Sequence, residues 1–185
     1  MKIEETALKD CLLIHDTVFK DDRGYFFESF NAQKFHSLTG LNVQFVQDNQ
    51  SHSVRGVLRG IHFQQGEHAQ AKLVRVLYGE VLDIAVDLRK NSATYGQYYS
   101  VVLSADAHNQ LYIPRGFGHG FVVLSEDADF FYKCDNFYNK ASEGGIRYND
   151  PQLSIDWQLP ADELLISPKD VELPSLSSYS TLFQL

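Results

Sequence analysis

Short apolar and alternating runs recur along the 185-residue chain and predict β-strands. The runs are rich in Val, Ile, Phe and Tyr and are bounded by turn-forming residues, which is typical of strands. The second run contains the sequence YGEV, in which Gly79 would supply the positive φ of a hairpin turn. The predicted strands cover residues 24–30, 72–88, 98–104, 109–114, 119–125 and 128–134. Many short strands separated by frequent turns predict an all-β sandwich or barrel of antiparallel strands.

Helix spacing is confined to residues 31–40, where Phe35 and Leu38 precede a closing Gly40. This pattern predicts one short peripheral helix. The segment from Asp150 onward is richer in Pro and Ser, so we expect it to wrap the barrel with short turns. The sequence shows neither an internal repeat nor a linker, and we interpret residues 1–185 as one domain.

Composition and charge narrow the classes of function. The formal net charge of −8 argues against a general nucleic-acid binder, because a phosphate backbone needs a basic surface. Cys11 and Cys134 lack metal-binding or redox spacing, which favours reduced thiols in the cytosol. The first ten residues contain no apolar export signal, and no run reaches membrane-spanning length. We therefore expect a cytoplasmic protein with no nucleic-acid or membrane partner.

The stretch RGVLRGIHFQ, residues 55–64, places a cation and an imidazole inside a predicted strand. His62 could be a core histidine that hydrogen-bonds a neighbour. However, Arg59 and Lys72 lie close in sequence, and two cations beside an imidazole are better suited to a ligand that is or becomes negative. On an ideal strand Arg59 and His62 point to opposite faces. A bulge or twist at Gly60 would let both reach one cavity.

Two further stretches contain candidate site residues. In YIPRGFGHGF, Pro114 and Gly116 predict a tight turn that aims His119 inward, although a simple turn followed by a buried histidine fits equally well. In FFYK, Tyr132 is either a core aromatic with a satisfied hydroxyl or, if it faces the cavity of His62, a proton donor opposite a base.

Several polar side chains are suited to binding phosphate, ribose or the edge of a base, although each could also be a solvated surface residue. They are Arg23, Glu28, Gln47 and Asn49, together with Lys169 and Asp170 in the tail sequence SPKD. A metal site is not predicted, because a His-x-His pair on the strand of His62 is broken by Gln64. His52 and His68 lie in stretches that read as loops.

The motif Pro114-x-Gly116-x-x-His119 resembles the second signature motif of the cupin superfamily, whose fold is a small jelly-roll barrel. More narrowly, the chain resembles the dTDP-4-dehydrorhamnose 3,5-epimerase family. The matching stretches run in order over about residues 15–170 and include DDRGYFFESFN, FVQDNQSHS, RGVLRGIHFQ, TYGQ, EGGIRYNDP and SPKD. The resemblance therefore implies an all-β, cupin-type jelly-roll barrel with short peripheral helices.

The resemblance also implies roles for individual residues. His62 corresponds to the catalytic base, Asp170 to its paired carboxylate, Tyr132 to the proton donor and Lys72 to a cation beside the C4 oxygen of the sugar. Tyr138 corresponds to an aromatic that stacks on thymine. The other implied substrate and nucleotide contacts are Arg23, Glu28, Gln47, Asn49, Arg59, His119, Glu143 and Lys169.

The implied activity is inversion of C3 and C5 of dTDP-4-dehydro-6-deoxyglucose, in dTDP-rhamnose biosynthesis, without a metal or another cofactor. The implied assembly is a homodimer that exchanges N-terminal strands, and whether Arg23 and Glu28 act within the chain or across the dimer stays open. Alternatives are a sibling enzyme that inverts only C3 or only C5, a 3,4-ketoisomerase, a non-catalytic nucleotide-sugar-binding cupin, and a metal-dependent cupin enzyme. The departures from the family pattern are Phe63 for tyrosine, Gln50 for histidine and Gly118 for alanine.

Overall fold

The computed structural model describes residues 1–179 and consists mainly of β-strands within them. The strands are β1 Lys2–Glu5, β2 Leu12–His15, β3 Phe19–Asp21, β4 Gly24–Phe26, β5 Gln47–Val54, β6 Val57–Gln64, β7 Lys72–Tyr78, β8 Glu80–Asp87, β9 Tyr98–Ser104, β10 Asn109–Ile113, β11 Phe117–Val123, β12 Asp127–Cys134, β13 Glu143–Gly145 and β14 Leu165–Ile166. The helices are α1 Ala32–Thr39 and α2 Pro168–Val171, with 3-10 turns at Gly66–His68, Lys140–Ser142, Ala161–Glu163 and Leu176–Ser178. The predicted all-β class is confirmed.

Two packed sheets form the body of the structure. The first has the strand order β1-β2-β10-β7-β12-β5, and the second has the order β13-β6-β11-β8-β9. Strand β14 lies parallel to β6 at the edge of the second sheet, whereas the other strand pairs are antiparallel. Strands β3 and β4 form a separate two-stranded ribbon.

The main core lies between the two sheets, where alternate side chains of each strand face inward. Val74 and Phe130 come from the first sheet, and Ala85 and Phe121 from the second. Burying such apolar surface is the main source of stability in a domain of this kind. The outer face of the second sheet is covered by the segment after β13, and Trp157 is buried there.

Helix α1 covers the outer face of the first sheet, where Phe35 is buried. Its boundaries follow the sequence: Asn31 caps the first turn by accepting from the amide of Lys34, and Gly40 ends the helix with φ of +71°. The predicted helix is confirmed. No helix in residues 1–179 is long and apolar enough to cross a membrane.

The hairpin predicted at YGEV is wrong. Strands β7 and β8 belong to different sheets and do not pair with each other, although Gly79 does adopt a positive φ of +76°. The turn instead carries the chain from one sheet to the other. Strand β7 lies between β10 and β12 and strand β8 between β9 and β11, so each has hydrogen-bonded neighbours on both sides within its own sheet.

Two other predictions need correction. Only Gly24–Phe26 of the run 24–30 forms a strand, and it lies in the exposed ribbon. Strand β5, Gln47–Val54, was not predicted, because its composition is polar. Its side chains nevertheless alternate between partly buried and exposed positions. His52 lies in this strand and not in a loop, whereas His68 ends a short 3-10 turn.

Candidate active site

A cavity of about 880 Å³ lies between the two sheets and is bordered on one side by residues 164–167, 169 and 170. Strands of both sheets supply its walls. Among the residues lining it are His62, Lys72, Tyr132 and Asp170, together with the predicted contacts Asn49, Arg59, His119 and Lys169. A smaller pocket of about 280 Å³ adjoins it, because His62, Lys72 and Tyr132 line both. The structure therefore brings the predicted base and the predicted acid into one compartment.

An irregularity in strand β6 lets Arg59 and His62 face the same cavity. His62 is paired with His119 of β11, whereas Arg59 is paired with Phe121, so β6 has one more residue than β11 between these pairs. Gly60 lies in this interval with φ of +133°, a conformation that favours glycine. The bulge expected at Gly60 is confirmed.

His62 and Asp170 form a close hydrogen-bonded pair. The distance between His62 Nε2 and Asp170 Oδ1 is 2.7 Å, and Asp170 is 4% exposed. Burial of Asp170 disfavours its ionised form, but the hydrogen bond and charge of His62 outweigh this effect and hold the pKa of Asp170 below its ordinary value. An ionised carboxylate can only accept hydrogen bonds, so Nε2 carries the proton. In the neutral imidazole, Nδ1 is then the nitrogen without a proton.

Asp170 reaches His62 because the chain folds back onto strand β6. Residues Leu165–Ile166 pair with Val57 and Leu58, and helix α2 follows directly. The hydroxyl of Ser167 caps this helix by accepting from the amide of Asp170 at 3.1 Å. A second contact joins Asp170 Oδ2 to the amide of Gly60, with a distance of 3.5 Å. The carboxylate is thus held by short, local connections.

Lys72 and Tyr132 lie together on neighbouring strands, with the Lys72 ammonium 5.7 Å from the centre of the Tyr132 ring. Burial lowers the pKa of Lys72 and raises the pKa of Tyr132. Neither the ammonium nor the phenol hydroxyl has a hydrogen-bond partner within residues 1–179. Both polar groups are therefore available to a molecule in the cavity.

His119 is paired with a buried carboxylate that sequence reasoning missed. Its Nε2 lies 2.9 Å from Asp83 Oδ2, and Asp83 is fully buried. Burial lowers the pKa of His119, and the charge and hydrogen bond of Asp83 oppose this effect only in part. The signal for Asp83 was its position within the apolar strand β8, since a buried carboxylate needs a partner.

The smaller pocket is bordered by a chain of polar contacts. Gln47 Oε1 accepts from the amide of Tyr138 at 3.1 Å, and the Tyr138 hydroxyl donates to Glu143 Oε2 at 3.1 Å. Lys169 donates to Glu143 Oε1 at 2.6 Å, and this bond holds the pKa of Glu143 below its ordinary value. The ring of Tyr138 is half exposed, so its face is open to a planar group. Arg59 is oriented by Ser53, with two contacts of 3.3 and 3.2 Å to its hydroxyl.

Arg23 and Glu28 do not reach either pocket within this chain. Arg23 lies on the β3–β4 ribbon, with its side chain 90% exposed and paired with Asp21. Glu28 contacts Lys34 at 2.8 Å. Their positions separate them from the other predicted contacts, all of which line the cavity or the adjoining pocket. Within residues 1–179 there is also no group of three or more His, Cys, Asp or Glu side chains arranged to hold a metal.

The sequence profile of the dTDP-4-dehydrorhamnose 3,5-epimerase family matches residues 5–178. This chain belongs to that family. Its sequence is 52% identical over 179 residues to the dTDP-4-dehydrorhamnose 3,5-epimerase of Salmonella typhimurium. The aligned region covers 95% of this chain and 96% of the relative.

Solved structures of the epimerase family have the same fold. The dTDP-4-dehydrorhamnose 3,5-epimerase of Elizabethkingia anophelis is 57% identical and superposes with a TM-score of 0.94 over 98% of this chain and 99% of the other. A second solved structure is a 3,5-epimerase of Legionella pneumophila in complex with dTDP-4-keto-L-rhamnose. It is 45% identical and superposes with a TM-score of 0.95 over 100% of this chain and 98% of the other. The predicted cupin-type jelly-roll barrel is confirmed.

Two of the three departures from the epimerase pattern lie in packed surroundings, and the third lies at the cavity. Phe63 is buried and packs edge-on against Tyr179, with ring centres 5.4 Å apart. A Cβ at Gly118 would lie 2.4 Å from Ile61 Cγ2, so the absence of a side chain at Gly118 leaves room for the side chain of Ile61. Gln50 lines the large cavity from strand β5.

Proposed function

We propose that this chain inverts C3 and C5 of dTDP-4-dehydro-6-deoxyglucose to give dTDP-4-dehydrorhamnose. The observation that carries the proposal is the presence of a histidine–carboxylate pair, a cation and a phenol around one cavity. Family membership and the 3,5-epimerase relatives support it. The alternative of a non-catalytic binding module would need neither the pair nor the phenol.

His62 is the proposed base. C3 and C5 both flank the C4 carbonyl, so a proton on either carbon is acidified. His62 Nδ1 takes this proton, and the electron pair of the C–H bond moves to the C4 oxygen to form an enolate. Asp170 keeps the proton on Nε2 and stabilises the imidazolium that forms.

Lys72 is the proposed partner of the enolate oxygen. Its ammonium lies free beside the cavity, in surroundings that burial makes less polar than water. Charge stabilisation is stronger in such surroundings, and removing one such donor typically costs about 10²–10³-fold in kcat. Lys72 would therefore act on the charge that develops and not on the ground-state sugar.

Tyr132 is the proposed acid. Inversion requires that the new proton reaches the carbon from the face opposite the base. The raised pKa of Tyr132 keeps the phenol protonated and able to donate at neutral pH. When the enolate electrons return to the carbon, they take the proton from the Tyr132 hydroxyl. The resulting phenolate is reprotonated from solvent, and the His62 imidazolium releases its Nδ1 proton to solvent.

The nucleotide is proposed to lie along the smaller pocket. Tyr138 offers a ring face for thymine, while Gln47, Asn49 and Glu143 offer hydrogen-bonding groups nearby. Arg59 and Lys169, at the large cavity, supply positive charge for the diphosphate. The Legionella pneumophila complex with dTDP-4-keto-L-rhamnose supports a substrate of this class.

We also propose a single-domain, cytoplasmic homodimer in which the β3–β4 ribbon serves a partner's site. Phe19 and Phe26 on this ribbon are 64% and 71% exposed, as expected of side chains that a second copy covers. Arg23 and Glu28 would then contact substrate across the dimer. The two buried cysteine thiols are free, which agrees with a reducing compartment.

The alkaline loss of activity is expected to report Lys72 rather than Tyr132. Burial lowers the pKa of Lys72 and raises the pKa of Tyr132, so the ammonium loses its charge first as the pH rises. Arginine stays protonated throughout this range, so Lys72→Arg should move the alkaline limb of the kcat profile upward, at a reduced maximum. An alkaline limb at the same pH in both proteins would contradict this assignment.

Turnover in deuterated water tests the proposed function. Incubation with dTDP-4-dehydro-6-deoxyglucose should place deuterium at both C3 and C5 of the product, as read by NMR and mass spectrometry. Label at one carbon alone would favour a sibling 3- or 5-epimerase. The absence of label at both carbons, with dTDP still bound, would contradict the proposal and point to a binding module.

A further inference from the structure

Gly56 lies outside the sugar cavity but directly beneath the segment that carries Asp170. It belongs to the two-residue connection between strands β5 and β6 and has φ of +80°. A Cβ placed on Gly56 would lie 2.1 Å from the carbonyl oxygen of Glu163. Because that atom belongs to the backbone, the contact could be relieved only by moving the tail segment and the β5–β6 connection apart.

The same glycine also holds this segment. Its carbonyl oxygen accepts a hydrogen bond of 2.8 Å from the amide of Leu165. The amide of Gly56 in turn donates to Val123 of strand β11 at 3.0 Å. Gly56 thus ties the start of the tail segment to the second sheet, and only a residue without a side chain fits between them.

The distance along the chain from this contact to the site is short. Leu165 and Ile166 pair with strand β6, Ser167 caps helix α2, and Asp170 lies within that helix. Between the Gly56 contact and the carboxylate, only Leu164 and Ser167 lie outside regular secondary structure. A shift of the segment at Gly56 would therefore be transmitted to the bond between Asp170 and His62.

We propose that Gly56 is a positioning residue for the His62–Asp170 pair. Its missing side chain lets the tail segment approach strand β6 closely enough for Asp170 Oδ1 to lie 2.7 Å from His62 Nε2. The proposal rests on the epimerase function, since it assigns Gly56 to proton abstraction. Gly56 does not itself contact the sugar.

Gly56→Ala tests this role. Misplacement of a catalytic group by about 1 Å can cost about 10²-fold in rate, so kcat for deuterium exchange should fall by about this factor. Gly40→Ala is the matched control, because Gly40 has a similar φ of +71° but no atom within 4 Å of a Cβ. This variant incurs a similar backbone strain without the steric contact and should keep the kcat of the parent.

A double-mutant cycle separates positioning from general damage to the fold. If Gly56 acts through Asp170, adding Gly56→Ala to Asp170→Asn should leave the already slow rate unchanged. A further loss of about 10²-fold in the double variant would overturn the proposal, and so would full activity of Gly56→Ala alone. Thermal unfolding of each variant shows that the compared proteins are folded.

A second variant keeps the test valid if Gly56→Ala does not fold. Leu165→Pro removes the amide that donates to Gly56 without adding bulk at the contact. Because Leu165 also lines the large cavity, kcat is compared at saturating substrate and dTDP binding is measured separately. It should show the same loss of kcat and the same insensitivity in the Asp170→Asn background. Equal losses in both backgrounds would overturn the proposal.

A crystal structure of Gly56→Ala provides a readout that does not depend on turnover. The proposal expects Asp170 Oδ1 to have moved out of hydrogen-bond distance of His62 Nε2. An unchanged distance of 2.7 Å would overturn it, whatever sugar the protein acts on. Failure of the epimerase assignment would instead appear as an absence of deuterium exchange in the unmodified protein.

Discussion

Replacing His62 by Asn is expected to lower kcat by about 10⁴-fold, at the upper end of the effect of a general base. Asparagine has a similar size and polarity but cannot accept the C3 or C5 proton at neutral pH. Deuterium exchange at both carbons should fall together with epimerisation, because both begin with the same abstraction. The rate is measured by NMR in deuterated water, and binding of dTDP by calorimetry.

His52 offers a matched control for this substitution. It forms a 2.9 Å contact with Asp129, so it is also a histidine paired with a carboxylate, but its side chain is 61% exposed and it is absent from the residues lining the cavity. His52→Asn should keep the kcat of the parent. A His62→Asn protein that binds dTDP and still exchanges at the parental rate would remove His62 from the mechanism.

Replacing Tyr132 by Phe is expected to separate exchange from inversion. The ring and its packing against Phe130 remain, but the donor on the second face is lost. Epimerisation should fall by about 10²–10⁴-fold. Abstraction by His62 should continue. Once the proton on Nδ1 has exchanged with deuterated water, the imidazolium can return a deuteron to the face from which the proton came. Recovered substrate should therefore carry deuterium at C3 or C5 without a change of configuration.

Tyr78→Phe is the control, because Tyr78 is 61% exposed at the end of strand β7. It should leave both exchange and epimerisation unchanged. If Tyr132→Phe epimerises at the parental rate, the proton donor is another group. If it loses exchange and epimerisation to the same extent as His62→Asn, Tyr132 is required for abstraction and does not act as the second-face donor.

Apolar strands were predictable from the sequence, but the polar wall of the cavity was not. The buried strands β8, β10 and β11 each contain a short run of apolar residues, which local pattern identifies. Strand β5 lacks such a run because Asn49 and Ser51 line the cavity instead of the core. The alternation of inward-facing and outward-facing side chains in β5 can be recognised only if polar residues are accepted at the inward-facing positions. That requires knowing that a cavity, and not a packed core, lies there.

Contacts distant in sequence also escaped prediction from pattern alone. The sheet to which β8 belongs is decided by its partners β9 and β11, so YGEV could not show that the chain changes sheets at Gly79. Asp170 and His62 are far apart in the chain, and the family resemblance, not spacing, predicted their pairing. The bulge at Gly60 was predictable, because the polar pattern of Arg59 and His62 required a change of strand phase.

The remaining question is whether the base and the acid lie on opposite faces of one sugar ring. A crystal structure of the protein with dTDP-4-dehydrorhamnose bound measures this directly. We predict His62 Nδ1 at about 3–3.5 Å from C3 or C5 on one face, and the Tyr132 hydroxyl on the other. A complex in which both side chains contact the same face, or in which Nδ1 points away from the sugar carbons, would contradict the mechanism.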